Sequence, residues 1–243
     1  MDARISPLGA GNLDDYATTY REFTWASVDR EFAWSTGGRY NVAAEAIDRH
    51  AENWRRNKIA LYSVRADGEV RKLTFSEMAN LTSRFASGLE KLGAVKGDRV
   101  LVYLDRIPEL YVSIVGIAKM GGIAGPLFSA LGPEAVKDRA LDCNASIIVT
   151  SPYLYRRLEP VLDELLVVKK FIIVGDDEVP EGRTIRFDKV LESGDSRYPA
   201  ANMAPTDPYI IHYRPAPPAS PRECCSATAP WSNRWWAANT WWT

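Results

Sequence analysis

Short apolar segments alternate with segments of helical spacing through the middle of the chain, and this alternation restricts the fold more than any other feature. Four apolar segments have the length and composition of buried strands: residues 100–104, 123–127, 147–150 and 171–174. Three segments of helical spacing lie between them: residues 108–121, 134–144 and 153–166. This order predicts an α/β fold with a mostly parallel sheet that carries helices on both faces.

The residues before this region predict a helix, a hairpin and a second helix. Asn41 is a good N-cap, and apolar residues follow it at helical spacing up to Trp54. Thr74 and Glu77 form a capping box, the pattern that starts a helix, and Gly93 is typical of its end. The other predicted elements are strands at 59–64 and 70–73 with a turn at 67–68, and a final strand at 209–213 after a linker at 200–205.

Composition and charge exclude several classes of function. The net charge of the 243 residues is −1, which provides no basic field for nucleic acid or anionic lipid. The longest apolar run, residues 110–118, is too short to cross a membrane. Residues 1–213 contain one cysteine, Cys143, which indicates a reducing compartment, so we expect a cytoplasmic protein. His50 and His212 are distant in the sequence, so we expect no metal site and interpret His50 as a packed side chain.

The character of the sequence changes after Tyr213. Residues 214–243 contain five of the eight tryptophans, five of the fifteen prolines and two of the three cysteines, without the hydrophobic period of a helix or a strand. We therefore expect an irregular, disordered tail. A zinc or redox site at Cys224 and Cys225 is disfavoured, because no second cysteine pair or neighbouring histidine accompanies them.

The tail has the properties of a coding sequence that is read one base out of frame. If one base is missing after the Tyr213 codon, each tail codon supplies the second and third bases of an original codon. A single nucleotide string encodes Arg-Pro-Ala-Pro-Pro-Ala-Ser-Pro-Arg-Glu-Cys-Cys at residues 214–225 and, in the restored frame, Thr-Ser-Gly-Thr-Thr-Gly-Lys-Pro-Lys-Gly-Val-Leu. Each tail tryptophan becomes Leu, Met or Val. The alternative is that the protein is intact and the frame error lies in the recorded sequence.

The restored string resembles the phosphate-binding signature of the AMP-forming acyl-CoA synthetases, a branch of the adenylate-forming enzymes. Segments upstream resemble the acetate–CoA ligases of this family and follow in the expected order: residues 41–52, 73–78, 96–100, 121–128, 133–139 and 207–213. The resemblance covers roughly residues 20–213. It implies the N-terminal part of the large domain of these enzymes, which carries a mostly parallel sheet.

This resemblance also implies an activity, that of an acid–thiol ligase. ATP and Mg²⁺ activate a carboxylate as an acyl-adenylate with release of pyrophosphate, and CoA then displaces AMP to form a thioester. The similarity at residues 125–128 favours acetate or another short carboxylate. The Gly- and Thr-rich loop of the family would supply backbone N–H groups and hydroxyls to the phosphates, and its Lys would add a charge.

The same resemblance implies a division of the chain into three parts. We expect an N-terminal extension at residues 1–40, a truncated AMP-binding domain at residues 41–213 and the out-of-frame tail at residues 214–243. The prolines of the tail have no N–H to donate to a phosphate. We therefore expect no catalytic residue, no confidently bound cofactor and no ligase activity in the chain as written.

One ligand contact is carried over by resemblance. In relatives, a basic residue after the Ile-Val-Thr strand contacts the phosphates of CoA, and Arg156 holds that position with Arg157 beside it. The loop at residues 128–133 lies where relatives border the pantetheine tunnel. The alternative is that both arginines are solvated charges on a helix, as most arginines are. The chain is thus expected to be either an inactive relic or a residual CoA- or partner-binding module.

Overall fold

The computed structural model describes residues 15–30, 40–177 and 182–213, together with the backbone of residues 224–226. The chain divides into two compact units, residues 1–38 with 231–243, and residues 39–230. The described part of the first unit consists of helices α1 (Tyr16–Glu22) and α2 (Trp25–Asp29). Asp15 caps α1, since its side chain accepts a hydrogen bond from the Thr18 N–H at 3.1 Å.

A five-stranded parallel sheet forms the centre of the second unit. Its strands are β3 (Arg99–Tyr103), β4 (Ile123–Leu127), β5 (Ile147–Thr150), β6 (Lys170–Ile173) and β7 (Thr184–Arg186), in the spatial order β4-β3-β5-β6-β7. The predicted α/β class is confirmed, and four strands lie at the predicted apolar segments. The sequence does not predict β7, because its Thr-Ile-Arg sequence is too short and too polar to stand out.

Helices cover both faces of the sheet, as the sequence predicts. One face carries α4 (Phe75–Lys91), α5 (Pro108–Met120) and α8 (Phe187–Ser193), and the other carries α6 (Pro133–Asp142) and α7 (Pro152–Arg157). Side chains alternate between these two cores along β3, with Val100 and Val102 in the first and Leu101 and Tyr103 in the second. Among the described helices, none has the length and apolar character needed to cross a membrane.

The ends of two long helices follow the signals in the sequence. In the capping box, the Glu77 N–H donates to Thr74 Oγ1 at 3.2 Å, and the Thr74 N–H donates to Glu77 Oε2 at 2.7 Å. Helix α5 begins with Pro108 and ends before Gly121, whose φ of 83° is in the left-handed region that favours glycine. Both predictions are confirmed.

Two other predicted helices are shorter than the sequence indicates. The helix after Asn41 contains a π-helical turn at Ala44–Asp48 and ends with α3 (Arg49–Ala51). The segment predicted as one helix over 153–166 is α7 followed by a 3₁₀ turn at Glu159–Val161. Pro160 accounts for this break, since proline lacks the N–H that continues an α-helix.

The predicted hairpin and final strand are both present. Strands β1 (Ile59–Val64) and β2 (Val70–Thr74) pair antiparallel. Strand β8 (Ile211–Tyr213) follows a segment that lies beside β4, where the Ala124 N–H donates to the Tyr209 carbonyl at 2.9 Å. β8 also pairs antiparallel with β9 (Cys224–Ser226), a strand that the expectation of an irregular tail did not include. The remaining tail residues, 214–223 and 227–243, lie outside the described residues.

Candidate functional site

The direction in which the chain crosses the sheet reverses between β3 and β5. From β3 the chain crosses to β4 on one side, and from β5 it crosses to β6 on the other. In open α/β sheets, ligands bind outside the carboxyl ends of the strands at such a point. Asp105 and Arg106 follow β3 at this edge, and Tyr153 lies just after β5. The carboxyl edge of the sheet is therefore the candidate site.

The loop at residues 128–132, between β4 and α6, is fixed at this edge by two side chains. The Tyr103 hydroxyl donates to the Leu131 carbonyl at 2.6 Å and lies 3.3 Å from the Ser129 carbonyl. The Arg157 guanidinium donates from Nη1 to the Ser129 carbonyl at 2.7 Å and from Nη2 to the Leu131 carbonyl at 3.0 Å. Burial raises the pKa of the Tyr103 hydroxyl above its usual value, so it remains a donor at neutral pH.

The two adjacent arginines of α7 have different environments. The Arg156 side chain is 53% exposed, whereas the Arg157 side chain turns toward the loop. An Asp177 carboxylate oxygen lies 3.4 Å from Arg156 Nη2, and both side chains of this pair face solvent. Such surface pairs contribute little free energy, so an anionic ligand could displace Asp177 at small cost. Arg157 is not the solvated charge of the alternative interpretation, because it donates to two backbone carbonyls.

Two large aromatic rings are exposed in the same region. Phe128 is 76% exposed and Tyr153 is 64% exposed. The guanidinium carbon of Arg157 lies 6.0 Å from the centre of the Tyr153 ring. Exposed rings of this size at a sheet edge are typical of binding surfaces, where they gain free energy by burial against a ligand.

A cavity of about 220 Å³ lies at the ends of β6 and β7. Apolar side chains from three helices line part of it: Leu81, Val112, Phe187 and Leu191. Charged side chains line the rest, and each has a partner: Arg71 lies 2.6 Å from Glu109, and Arg186 lies 2.7 Å from both Asp176 and Asp188. The hydrogen bond from Arg186 lowers the pKa of Asp188. These charged groups are paired with one another, and two arginines against three carboxylates give the lining a net charge of −1.

The histidines do not form part of a metal site in the described structure. The ring centre of His50 lies 4.9 Å from that of Phe75, in agreement with the interpretation of His50 as a packed side chain. Burial, followed by the charges of Arg49 and Arg55, lowers the pKa of His50, and burial lowers the pKa of His212. Within the described ranges, no three His, Cys, Asp or Glu side chains are grouped so that they could hold a metal ion.

Resemblance to relatives assigns Arg156 to this edge, and no signal in the sequence indicates that Tyr103 and Arg157 contact the loop. Tyr103 lies at the end of an apolar strand and reads as a core residue, which it also is. A pair of adjacent arginines on a helix gives no signal of which one faces a loop that lies 26 to 28 residues earlier in the sequence. The structure thus places Arg157 and Tyr103 together on the loop, with Arg156 at the solvent side.

Comparison with known proteins gives the family. Residues 47–213 match the family model of the AMP-binding enzymes. The acetyl-coenzyme A synthetase of Bacillus subtilis is 39% identical over 215 residues, 88% of this chain and 37% of that protein. The acetyl-coenzyme A synthetase of Methanothrix thermoacetophila is 34% identical over 203 residues, 78% of this chain and 31% of that protein. The crystal structure of an acyl-CoA synthetase from Brucella canis has the same fold, with a TM-score of 0.75, 23% identity and coverage of 90% of this chain and 38% of that one.

These matches extend over the sheet and the helices described above. The chain spans about a third of the length of the curated relatives it matches. The family model covers residues 47–213, more than half of the chain, and it ends at the last residue of β8. The resemblance inferred from the motifs is confirmed. The chain belongs to the family of AMP-binding enzymes, among the relatives of the acyl-CoA synthetases.

Proposed function

We propose that the gene of this chain encodes an AMP-forming acyl-CoA ligase that acts on acetate or another short carboxylate with ATP, Mg²⁺ and CoA. The family and the names of the relatives support a ligase of this type. The observation that carries the proposal is the position of β8. It ends at Tyr213, the residue after which the restored reading encodes Thr-Ser-Gly-Thr-Thr-Gly-Lys.

The pairing of β9 with β8 supports the restored reading frame. Tyr213 is paired with Cys224 and Ile211 with Ser226, so residues 214–223 connect the two strands of an antiparallel pair. In the restored frame this connection carries the Gly- and Thr-rich string, and positions 224 and 225 become Val and Leu, which are better suited to a strand. A glycine-rich connection presents backbone N–H groups to phosphates, which is the chemistry that an adenylating enzyme requires.

As written, residues 214–223 do not fit the phosphates of ATP. Pro215, Pro217, Pro218 and Pro221 have no N–H to donate and a fixed φ. We therefore propose that residues 41–213 form the AMP-binding part, that residues 1–40 are an extension, and that residues 214–243 are an out-of-frame tail without catalytic residues. A cytoplasmic location, without nucleic-acid or membrane partners, is part of this proposal.

The test is ATP–pyrophosphate exchange that depends on acetate. The purified 243-residue chain is compared with the product of the same gene after one base is added behind the Tyr213 codon. We expect no exchange from the first protein and carboxylate-dependent exchange from the second. Exchange by the 243-residue chain would refute its inactivity, and a soluble but inactive restored protein would count against the ligase assignment.

A second proposed function, binding of CoA without catalysis, is favoured by the exposure of Arg156. Among the described residues its guanidinium pairs with the exposed Asp177, and it follows β5 near the carboxyl edge, where open α/β sheets bind ligands. Calorimetry with CoA, and with CoA lacking its 3′-phosphate, tests this function. We expect Arg156→Ala to abolish binding and Arg156→Lys to retain much of it, because a phosphate contact requires charge. Arg65→Ala, which removes another exposed arginine paired with a carboxylate, is the matched control and should bind as the parent does.

A further inference from the structure

We propose that Tyr103 and Arg157 are positioning residues, which act on a ligand at the carboxyl edge only through the loop at residues 128–132. The inference rests on the proposed CoA binding for the identity of the ligand. It adds two residues that no sequence motif singles out, and it separates the role of Arg157 from that of its neighbour Arg156.

The hydrogen bonds from Tyr103 and Arg157 to the Ser129 and Leu131 carbonyls form a carbonyl clamp on the loop. The two terminal nitrogens of Arg157 reach two different carbonyls, those of Ser129 and Leu131, at 2.7 and 3.0 Å. A guanidinium can do this because its donors are fixed in a plane, whereas a lysine ammonium is a single point. These bonds use two of the five guanidinium N–H donors and direct both terminal nitrogens at the loop.

The second member of the clamp is the Tyr103 hydroxyl. It has one proton, so it donates to one acceptor at a time, and the shorter distance of 2.6 Å selects the Leu131 carbonyl. The Tyr103 ring is completely buried at the end of β3, so its hydroxyl is held by the rigid sheet. The Leu131 carbonyl therefore has donors from two separate elements, β3 and α7.

The clamp acts on a turn at residues 128–131. The Leu131 N–H donates to the Phe128 carbonyl at 3.0 Å, which closes a turn over these four residues. The clamp holds two carbonyls of this turn, while the Phe128 ring remains 76% exposed. A loop that is fixed before binding loses less conformational entropy when a ligand packs on it, so the clamp increases affinity without touching the ligand.

Three variants test the clamp in the full chain. Tyr103→Phe removes only the hydroxyl, and Arg157→Lys keeps the charge but loses the two-carbonyl geometry. Tyr155→Phe is the matched control, because Tyr155 is also buried, on the same face of the sheet, where its ring packs 5.2 Å from that of Phe171. Melting temperatures are measured for all three, so that a loss of fold is recognised.

The first readout is amide hydrogen exchange of the peptide that contains residues 128–132, without ligand. We expect faster exchange in Tyr103→Phe and Arg157→Lys and parental exchange in Tyr155→Phe. Unchanged exchange in the first two variants would overturn the clamp, whether or not the chain binds CoA.

The second readout is the Kd for CoA. We expect about tenfold weaker binding in Tyr103→Phe and in Arg157→Lys, the scale of reordering a short loop. A parental Kd in Arg157→Lys would show that Arg157 acts as a charge, and the positioning role would be wrong. If the parent chain does not bind CoA, the proposed CoA function is wrong and the clamp has no role in CoA binding. Hydrogen exchange alone then decides whether the clamp fixes the loop.

Discussion

The ammonium nitrogen of Lys119, in a side chain that is 2% exposed, lies 2.7 Å from a carboxylate oxygen of Asp48. Lys119 Nζ also donates to Ser83 Oγ at 2.8 Å. Asp48 is the last residue of the π-helical turn, so this buried pair connects the first helix of the AMP-binding part to α4 and α5. Burial raises the pKa of Asp48, and the charge of Lys119 opposes that effect.

Removal of one partner from this pair should cost more than removal of both. Asp48→Ala leaves the buried ammonium without a counter-charge, and we expect a loss of about 3 kcal/mol in the free energy of unfolding. The double variant Asp48→Ala, Lys119→Met buries no unpaired charge and should lose less. Urea denaturation measures both values. The exposed pair Arg65–Glu69 is the control, since Arg65→Ala should change stability by at most about 0.5 kcal/mol. A single variant more stable than the double would contradict this account.

The packing of α4 against α8 allows no side chain at Gly88. A Cβ at this position would lie 2.5 Å from the Val190 carbonyl oxygen and 2.6 Å from Val190 Cγ1. Alanine favours a helix by about 1 kcal/mol over glycine, but overpacking costs about 1–3 kcal/mol, so we expect Gly88→Ala to destabilise the protein. Thermal or urea unfolding checks the sign.

Gly132→Ala is the matched control for this substitution. A Cβ at Gly132 meets no heavy atom within 4 Å, and the φ of −76° is accessible to alanine. We expect a small change in stability there. A stabilised Gly88→Ala variant would mean that α4 and α8 do not pack as closely as described.

The carboxylate of Asp207 should make part of the stability dependent on pH. The hydrogen bond from Lys96, followed by that from the Ala204 N–H, lowers the pKa of Asp207 in the folded protein. The stabilisation is complete above the ordinary aspartate pKa of about 4 and is lost as the pH falls through the lower folded value. The melting temperature of Asp207→Asn should thus lie below that of the parent at pH 6, and the difference should shrink toward pH 3.

Lys96→Met removes the first cause of this shift and provides a second test. Its Nζ lies 2.9 Å from Asp207 Oδ2. The difference in melting temperature between the parent and Lys96→Met should therefore also shrink from pH 6 toward pH 3. A difference between parent and Asp207→Asn that stays constant from pH 6 to pH 3 would contradict the assignment.

The parts of the fold that the sequence predicts are those that local chemistry determines. The apolar run of β4, the capping box at Thr74 and the glycine after α5 each carry their own signal, and the structure confirms all three. Helix α7 ends near Pro160, a single residue that interrupts a segment with otherwise helical spacing. The sequence does not predict β7 and α8, because both are short and contain few apolar residues. Strand β7 is defined by its pairing with β6, a contact that has no local signal in the sequence.

The residues of the candidate site carry little local signal in the sequence. Arg156 is identified only by resemblance, and no rule of spacing distinguishes it from Arg157. The distinction follows from a tertiary contact: Arg157 donates hydrogen bonds to two carbonyls of the loop after β4. Tyr103 has the pattern of a core residue, and its hydroxyl partner lies 28 residues away. Contacts of this kind appear only once the strands are in register.

The most direct test of the central claim is the nucleotide sequence of the gene from the Tyr213 codon onward. The account predicts that one added base opens a frame that encodes Thr-Ser-Gly-Thr-Thr-Gly-Lys-Pro-Lys-Gly-Val-Leu and continues beyond the present residue 243. If no single-base shift at this point yields that string, residues 214–243 are the true continuation of the protein, and the out-of-frame explanation is wrong.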